Sequence, residues 1–355
     1  MSVSKRGFPG LDGLRFYAAL GVAITHAEQV ASWAGVANVY PLVSTLGDTC
    51  VSGFFVLSGF LITFLLLDEF ESGGIHLLNF YARRALRIWP VYFALIILAF
   101  FILPAIPAMQ VPGHDPAWTT SWWSNFSLYV IFAPHVALLW LTPIPFASVL
   151  WSIGVEEWFY SVWPLVLRKG LRPAVSIAAI IAIAWAGTSW LPRRFPYLMS
   201  MLRFDCMAIG ALFAALTLHE MTKPILTNLA SLLRSRQAQT VVLAALPFTL
   251  ARQDHLSQAL IFGALIFNLA TNRNSLLKLD APIHRHLGAL SYSMYAFNTI
   301  AAVIAVRLVG SEIGPRWLSG FADFFAALAL TLLFAELSYY VIERPFLNLQ
   351  GHFRS

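Results

Sequence analysis

Residues 11–27, LDGLRFYAALGVAITHA, read as the start of a membrane helix, yet they carry Arg15 and His26. At about 100° per residue, the eleven steps between those two come to about 1100°, only about 20° beyond three full turns. Both side chains therefore share one face, roughly 16 Å apart along the axis. A permanent cation aligned with a titratable imidazole on an apolar helix asks for a chemical reason.

The rest of the chain sets the class. Of its 355 residues, 59% are hydrophobic and 11% charged, and the mean hydropathy is +0.71. Apolar runs recur along the whole length. The pattern excludes a soluble core and predicts an all-α, polytopic membrane bundle, one domain over residues 1–355. The pI near 9.5 raises nucleic acid as a partner. The basic residues are spread through loops rather than gathered on one face, so membrane topology explains them and no nucleic acid is expected. Lys5 and Arg6 ahead of an apolar segment mimic a signal peptide. That segment holds His26 and Glu28 and lacks a small-x-small cleavage site, so it reads as a retained first helix. Cys50 and Cys206 have no metal-ligand spacing; they read as packing residues, and no metal is expected.

Apolar windows fall near 14–33, 48–67, 86–106, 122–141, 148–167, 173–191, 201–219, 239–252, 255–271, 288–309 and 320–342. The cations decide which of them cross. If 122–141 does not, the inside segments hold Lys5, Arg6 and Arg15; Arg83, Arg84 and Arg87; Arg168, Lys169 and Arg172; Lys223, Arg234 and Arg236; Arg273, Lys278 and Arg285; and Arg344 and Arg354. Those are 17 of the 23 basic residues. If 122–141 does cross, every later basic loop flips outward and the bias collapses. The expectation is therefore about ten spans, both termini cytoplasmic, and a long outer segment over 104–147.

Depth then groups the ionisable residues. His26 falls about 20 Å up the first helix, and Glu156 and Glu157 about 12–14 Å down a helix of opposite direction, so an imidazole and a carboxylate pair reach similar depth. They read either as a buried structural ion pair or as a proton-handling site, with Glu156 or Glu157 orienting a His26 general base. In FYARRALRIWP (80–90), Arg83 and Arg87 share a helix face with Arg84 beside them. The cluster suits either topogenic charge or a phosphate-rich ligand held by guanidinium forks. Pro90 is expected to disturb the start of the next span. In GFFVLSGFLIT (53–63), Gly53, Ser58 and Gly59 suit close helix packing or the lining of a narrow tunnel.

In this order the motifs resemble the acyltransferase-3 family of integral-membrane acyltransferases. The resemblance rests on the Arg-x10-His stretch, GFFVLSGFLI, RRALRIWP, WSIGVEEWFY, RFDCMAIGALFA, LSYSMYAF and SYYVIERPF. It implies a bacterial inner-membrane O-acyltransferase, most simply an O-acetyltransferase. The donor would be cytoplasmic acetyl-CoA or another acyl-CoA, not a tightly bound cofactor, and the acceptor an extracytoplasmic glycan or glycolipid. Matched by position, Arg15 and His26 are the functional Arg/His pair, and Arg83, Arg84 and Arg87 the motif that meets acyl-CoA. Glu156 is the acid of Trp-Ser-x-x-x-Glu, Glu343 that of the terminal Glu-x-Pro, and Arg203 the arginine ahead of the Gly210/Ala214 helix. The pantetheine arm would then pass Arg15 and Ser58 toward His26.

The chain departs from the family at Asn298, where a His is common, and at Gly154 and Trp158, where Ser and Gln are common. The soluble esterase-like domain that some members carry is not expected here. A transporter using His26 and Glu156 as a proton relay is the alternative from another class.

Overall fold

The structure, a computed structural model, describes residues 8, 10–36, 38–111, 121–169, 176–177, 179–180, 201–219, 224–252, 254–309 and 315–353. The 173–191 window lies almost wholly outside the described residues, as do Lys5, Arg6, Arg172, Lys223 and Arg354.

The described chain is helical, with no strand. Its principal helices are α1 (Leu11–Trp33), α2 (Leu46–Glu71), α3 (Leu77–Ile97), α4 (Trp122–Val130), α5 (Pro134–Trp140) and α6 (Trp151–Arg168). They continue with α7 (Phe204–His219), α8 (Pro224–Leu233), α9 (Arg236–Arg252), α10 (His255–Thr271), α11 (Pro282–Val309) and α12 (Arg316–Ser338). Four helical stretches are long and apolar enough to cross a membrane: Tyr40–Glu71, Leu77–Ala105, Pro282–Val309 and Trp317–Phe353. Helix α1 spans 23 residues, but Arg15, His26 and Glu28 lower its hydropathy. The other apolar windows among the described residues form shorter helices, with 16 residues in α7 and 17 in both α9 and α10.

Two expectations about local structure meet the coordinates directly. The 122–141 window, kept out of the membrane by the charge argument, folds as helices of nine and seven residues. Between them Phe132 adopts φ 59°, left-handed backbone that no helix continues through. Gly154 admits this turn, because a Cβ there would lie 2.6 Å from Pro134 Cδ and 2.8 Å from the Phe132 carbonyl. Pro90, by contrast, does not delay a helix. It lies inside α3, which runs from Leu77 to Ile97 and on through a π-helical turn at Leu98–Ile102. Arg83, Arg84 and Arg87 thus lie on α3 itself, upstream of the proline.

The chain forms two compact units, one of Met1–Phe16, Thr49–Leu77 and Glu156–Gly288, the other of Tyr17–Asp48, Leu78–Val155 and Ala289–Ser355. In the first unit, α2 and α7 touch backbone to backbone. A Cβ on Gly59 would lie 2.0 Å from the Met207 carbonyl, and one on Gly210 2.0 Å from the Val56 carbonyl. Only glycine permits this approach, and small residues are how membrane helices gain contact area without a hydrophobic drive. The indole N–H of Trp163 donates to Thr63 Oγ1 at 2.8 Å, tying α6 to α2.

In the second unit α11 is the hub. Four polar residues of this helix each reach a different part of the unit. Tyr292 donates to the Ile88 carbonyl, Ser293 to the Glu343 carboxylate and Tyr295 to the Val149 carbonyl. Asn298 meets His26. Since the Tyr295 hydroxyl proton goes to Val149, Ser152 is the donor in its 2.6 Å bond to the Tyr295 oxygen. Satisfied polar contacts of this kind specify which helices adjoin.

Candidate functional site

In the second unit, α1 carries His26 half-buried and α11 carries Asn298 at 1% exposure. His26 Nδ1 lies 2.7 Å from Asn298 Oδ1. The amide cannot be turned round. Its Nδ2 donates to the Tyr295 carbonyl at 2.8 Å, and its Oδ1 also accepts the Thr299 hydroxyl at 3.1 Å. An amide oxygen only accepts, so Nδ1 bears the proton, and in the neutral ring the lone pair lies on Nε2. The arrangement fixes one tautomer and leaves one nitrogen basic, which is what a general base needs.

The flank of His26 is also built. Thr25 donates to the Gly21 and Val43 carbonyls, and Glu28 Oε2 accepts the Val39 N–H at 2.7 Å. Glu28 thereby holds the α1–α2 connection against α1, a use for its charge that sequence alone does not suggest.

Where the sequence reading gives the orienting role to Glu156 or Glu157, the partner of Nδ1 is Asn298. Rise per residue fixes depth along a helix; it does not say which side chain of the same unit meets a ring nitrogen. Glu156, in the first unit, accepts the Ser58 hydroxyl at 2.7 Å and the Tyr160 hydroxyl at 2.8 Å. Ser58 is accordingly a carboxylate donor as well as a small residue.

Arg203, 5% exposed, donates to Ser52 Oγ at 2.9 Å. Ser52 donates on to Gln258, whose amide reaches Thr49 and the Thr249 carbonyl. Arg203 adopts φ 44° while its carbonyl accepts the Cys206 and Met207 N–H groups that open α7. Left-handed backbone at a non-glycine residue costs on the order of 1–3 kcal/mol. Arg15 pairs with Asp12 one turn earlier at 3.1 Å.

The arginines of α3 are individually engaged. Arg83 donates to the Phe353 carbonyl at 2.7 Å, and Gln350 donates to the Arg83 carbonyl at 2.9 Å. Arg84 lies over the Phe80 ring, 5.8 Å from its centroid. Arg87 is near enough for its charge to act on Glu343, which Ser293 also holds. The basic motif and the acid of Glu-x-Pro are thus brought together. Tyr292, Ser293 and Tyr295 lie within LSYSMYAF, quoted above for the resemblance but given no role there; their signal is hydroxyl-bearing residues clustered on an otherwise apolar helix.

These features define a multi-pass helical membrane protein with a half-buried, amide-held imidazole and an arginine cluster on one turn of α3. The chain belongs to the acyltransferase-3 family, whose acyltransferase domain matches residues 8–339. It is 27% identical over 380 residues to the O-acetyltransferase OatA of Staphylococcus aureus strain NCTC 8325 / PS 47, covering 96% of this chain and 57% of that protein. It is 25% identical over 377 residues to the peptidoglycan O-acetyltransferase OatA of Listeria monocytogenes serovar 1/2a, covering 96% and 56%. The chain therefore spans little more than half the length of these curated relatives. No solved structure matches it.

Proposed function

We propose that the protein is a membrane O-acetyltransferase that moves an acetyl group from cytoplasmic acetyl-CoA to a hydroxyl of an extracytoplasmic glycan, with His26 as general base. The observation that carries this reading is the His26–Asn298 bond, which protonates Nδ1 and leaves Nε2 able to accept a proton. Family membership supplies the class of reaction, and the relatives' names point to a glycan acceptor, peptidoglycan for one of them.

In this mechanism Nε2 takes the proton of the acceptor hydroxyl as its oxygen attacks the thioester carbonyl. The C–S bond breaks, and the imidazolium returns the proton to the departing CoA sulfur. Asn298 holds the ring through both transfers. Arg83, Arg84 and Arg87 receive the CoA phosphates, a role supported by their density on one turn of α3. Arg15 and Glu156 keep the functional roles that family position implies, with Ser58 and Tyr160 holding the carboxylate of Glu156.

The test is turnover by the purified protein, supplied with acetyl-CoA and soluble peptidoglycan fragments. Acetyl ester on the glycan together with free CoA supports the reading. A well-folded protein that neither transfers nor hydrolyses the thioester overturns it and revives proton-coupled transport.

A further inference from the structure

One cavity of the first unit, about 620 Å³, has no part in the reading above. Phe8 and Phe64 form one wall, packed edge to face with ring centroids 4.7 Å apart, and Leu269 and Leu279 extend it. Arg234, Arg273 and Lys278 line the cavity as well, against one carboxylate among the described lining residues, Asp280. Cations near the ends of α8 and α10 offset helix dipoles. That role asks for about one charge per helix end, however, and for neither an aromatic wall nor a cavity of this size. The distribution of basic residues counts all three cations among the inside segments.

Cationic and apolar linings in one cavity match a ligand with a phosphate at one end and an apolar body at the other. We infer that this cavity binds a phosphate-bearing amphiphile, with Arg273, Lys278 and Arg234 taking the phosphate and the Phe8–Phe64 wall the apolar part. Two sources present that chemistry: an anionic phospholipid, and the nucleotide end of a CoA thioester. The cavity shares no residue with Arg83–Arg87, so this inference stands apart from the role given to those arginines.

The experiment uses the full chain in phosphatidylcholine nanodiscs, with two probes. One is phosphatidylglycerol retained by the protein, read by native mass spectrometry; the other is coenzyme A, read by equilibrium binding. The variants are R273Q/K278Q, which alters exposed side chains, and D280N, which removes the opposing charge. Melting temperature is recorded on each preparation, and R84Q serves as a reference that tests the Arg83–Arg87 role alone.

Loss of two charge-assisted contacts is expected to weaken one probe about tenfold or more, and D280N to tighten the same probe. The effect should shrink as salt rises. A change in phosphatidylglycerol retention alone assigns the lipid, and a change in coenzyme A affinity alone assigns the nucleotide; either supports the site. If folded R273Q/K278Q binds both probes as the unaltered protein does, the site does not exist. K278Q alone serves as the same test should the double variant fold poorly.

Discussion

Replacing Asn298 with Leu keeps the side chain's approximate size while removing the group that, among the described residues, bonds His26 Nδ1. A neutral hydrogen bond contributes about 0.5–1.5 kcal/mol. If Asn298 acts only by orienting the ring and fixing its tautomer, that range converts to a loss of about 2- to 12-fold in turnover. His26→Ala removes the base itself and should cost about 10²–10⁴-fold. The double variant should be little worse than His26→Ala alone, because Asn298 has nothing left to orient.

The chemistry at position 298 is an oriented acceptor, so Asn298→His, the residue that the family resemblance leads one to expect there, should keep more activity than Asn298→Leu. Asn298→Asp is less conservative than it looks, because it sets a carboxylate oxygen against the Tyr295 carbonyl where the amide now donates at 2.8 Å. The assay is acetyl transfer per folded molecule, with melting temperature measured on the same preparation. Unchanged turnover in folded Asn298→Leu protein, or losses that multiply in the double variant, would refute the reasoning.

Further outcomes can be checked independently. Arg84→Gln with Arg87→Gln should raise the apparent KM for acetyl-CoA, at about 1.5–3 kcal/mol per charge-assisted contact, and change kcat much less; a lower kcat at unchanged KM contradicts the phosphate role. Gly59→Ala places a methyl group 2.0 Å from the Met207 carbonyl, so the α2–α7 contact must open at a cost of about 1–3 kcal/mol, read as a lower melting temperature. Burial pushes the imidazole of His135, fully enclosed in α5, down to about 4 from 6.5. The unfolded chain then binds the proton more tightly, so up to about 3 kcal/mol of stability present above pH 6.5 is lost as pH falls toward 4. The melting temperature of His135→Gln should fall less steeply between pH 7 and 5; an equal slope would remove His135 as the cause.

Much of the fold is legible because hydropathy and the placement of lysine and arginine are properties of the chain itself. Helical periodicity alone predicts Arg15 and His26 on one face of α1, and charge bookkeeping alone singles out 122–141, which folds as helices of nine and seven residues. Helix boundaries are less legible: Pro90 suggests an interruption, yet α3 accommodates it and extends upstream to Leu77. Contacts between helices are harder still, because they depend on rotation and crossing, which no spacing rule fixes. Gly59 is compatible with packing or with a tunnel until Met207 is seen against it.

Position 298 makes the same point within the site. Read as a sequence, Asn298 is a missing histidine, and it casts doubt on any role for that position. In the structure it meets the requirement another way. A histidine there must adopt the correct tautomer to accept from His26 Nδ1, whereas an amide oxygen always accepts once its N–H₂ is occupied elsewhere. The Tyr295 carbonyl occupies it, one helical turn back on the same helix. Sequence shows which atoms residue 298 carries; only the fold shows that the Tyr295 carbonyl turns the amide oxygen toward His26.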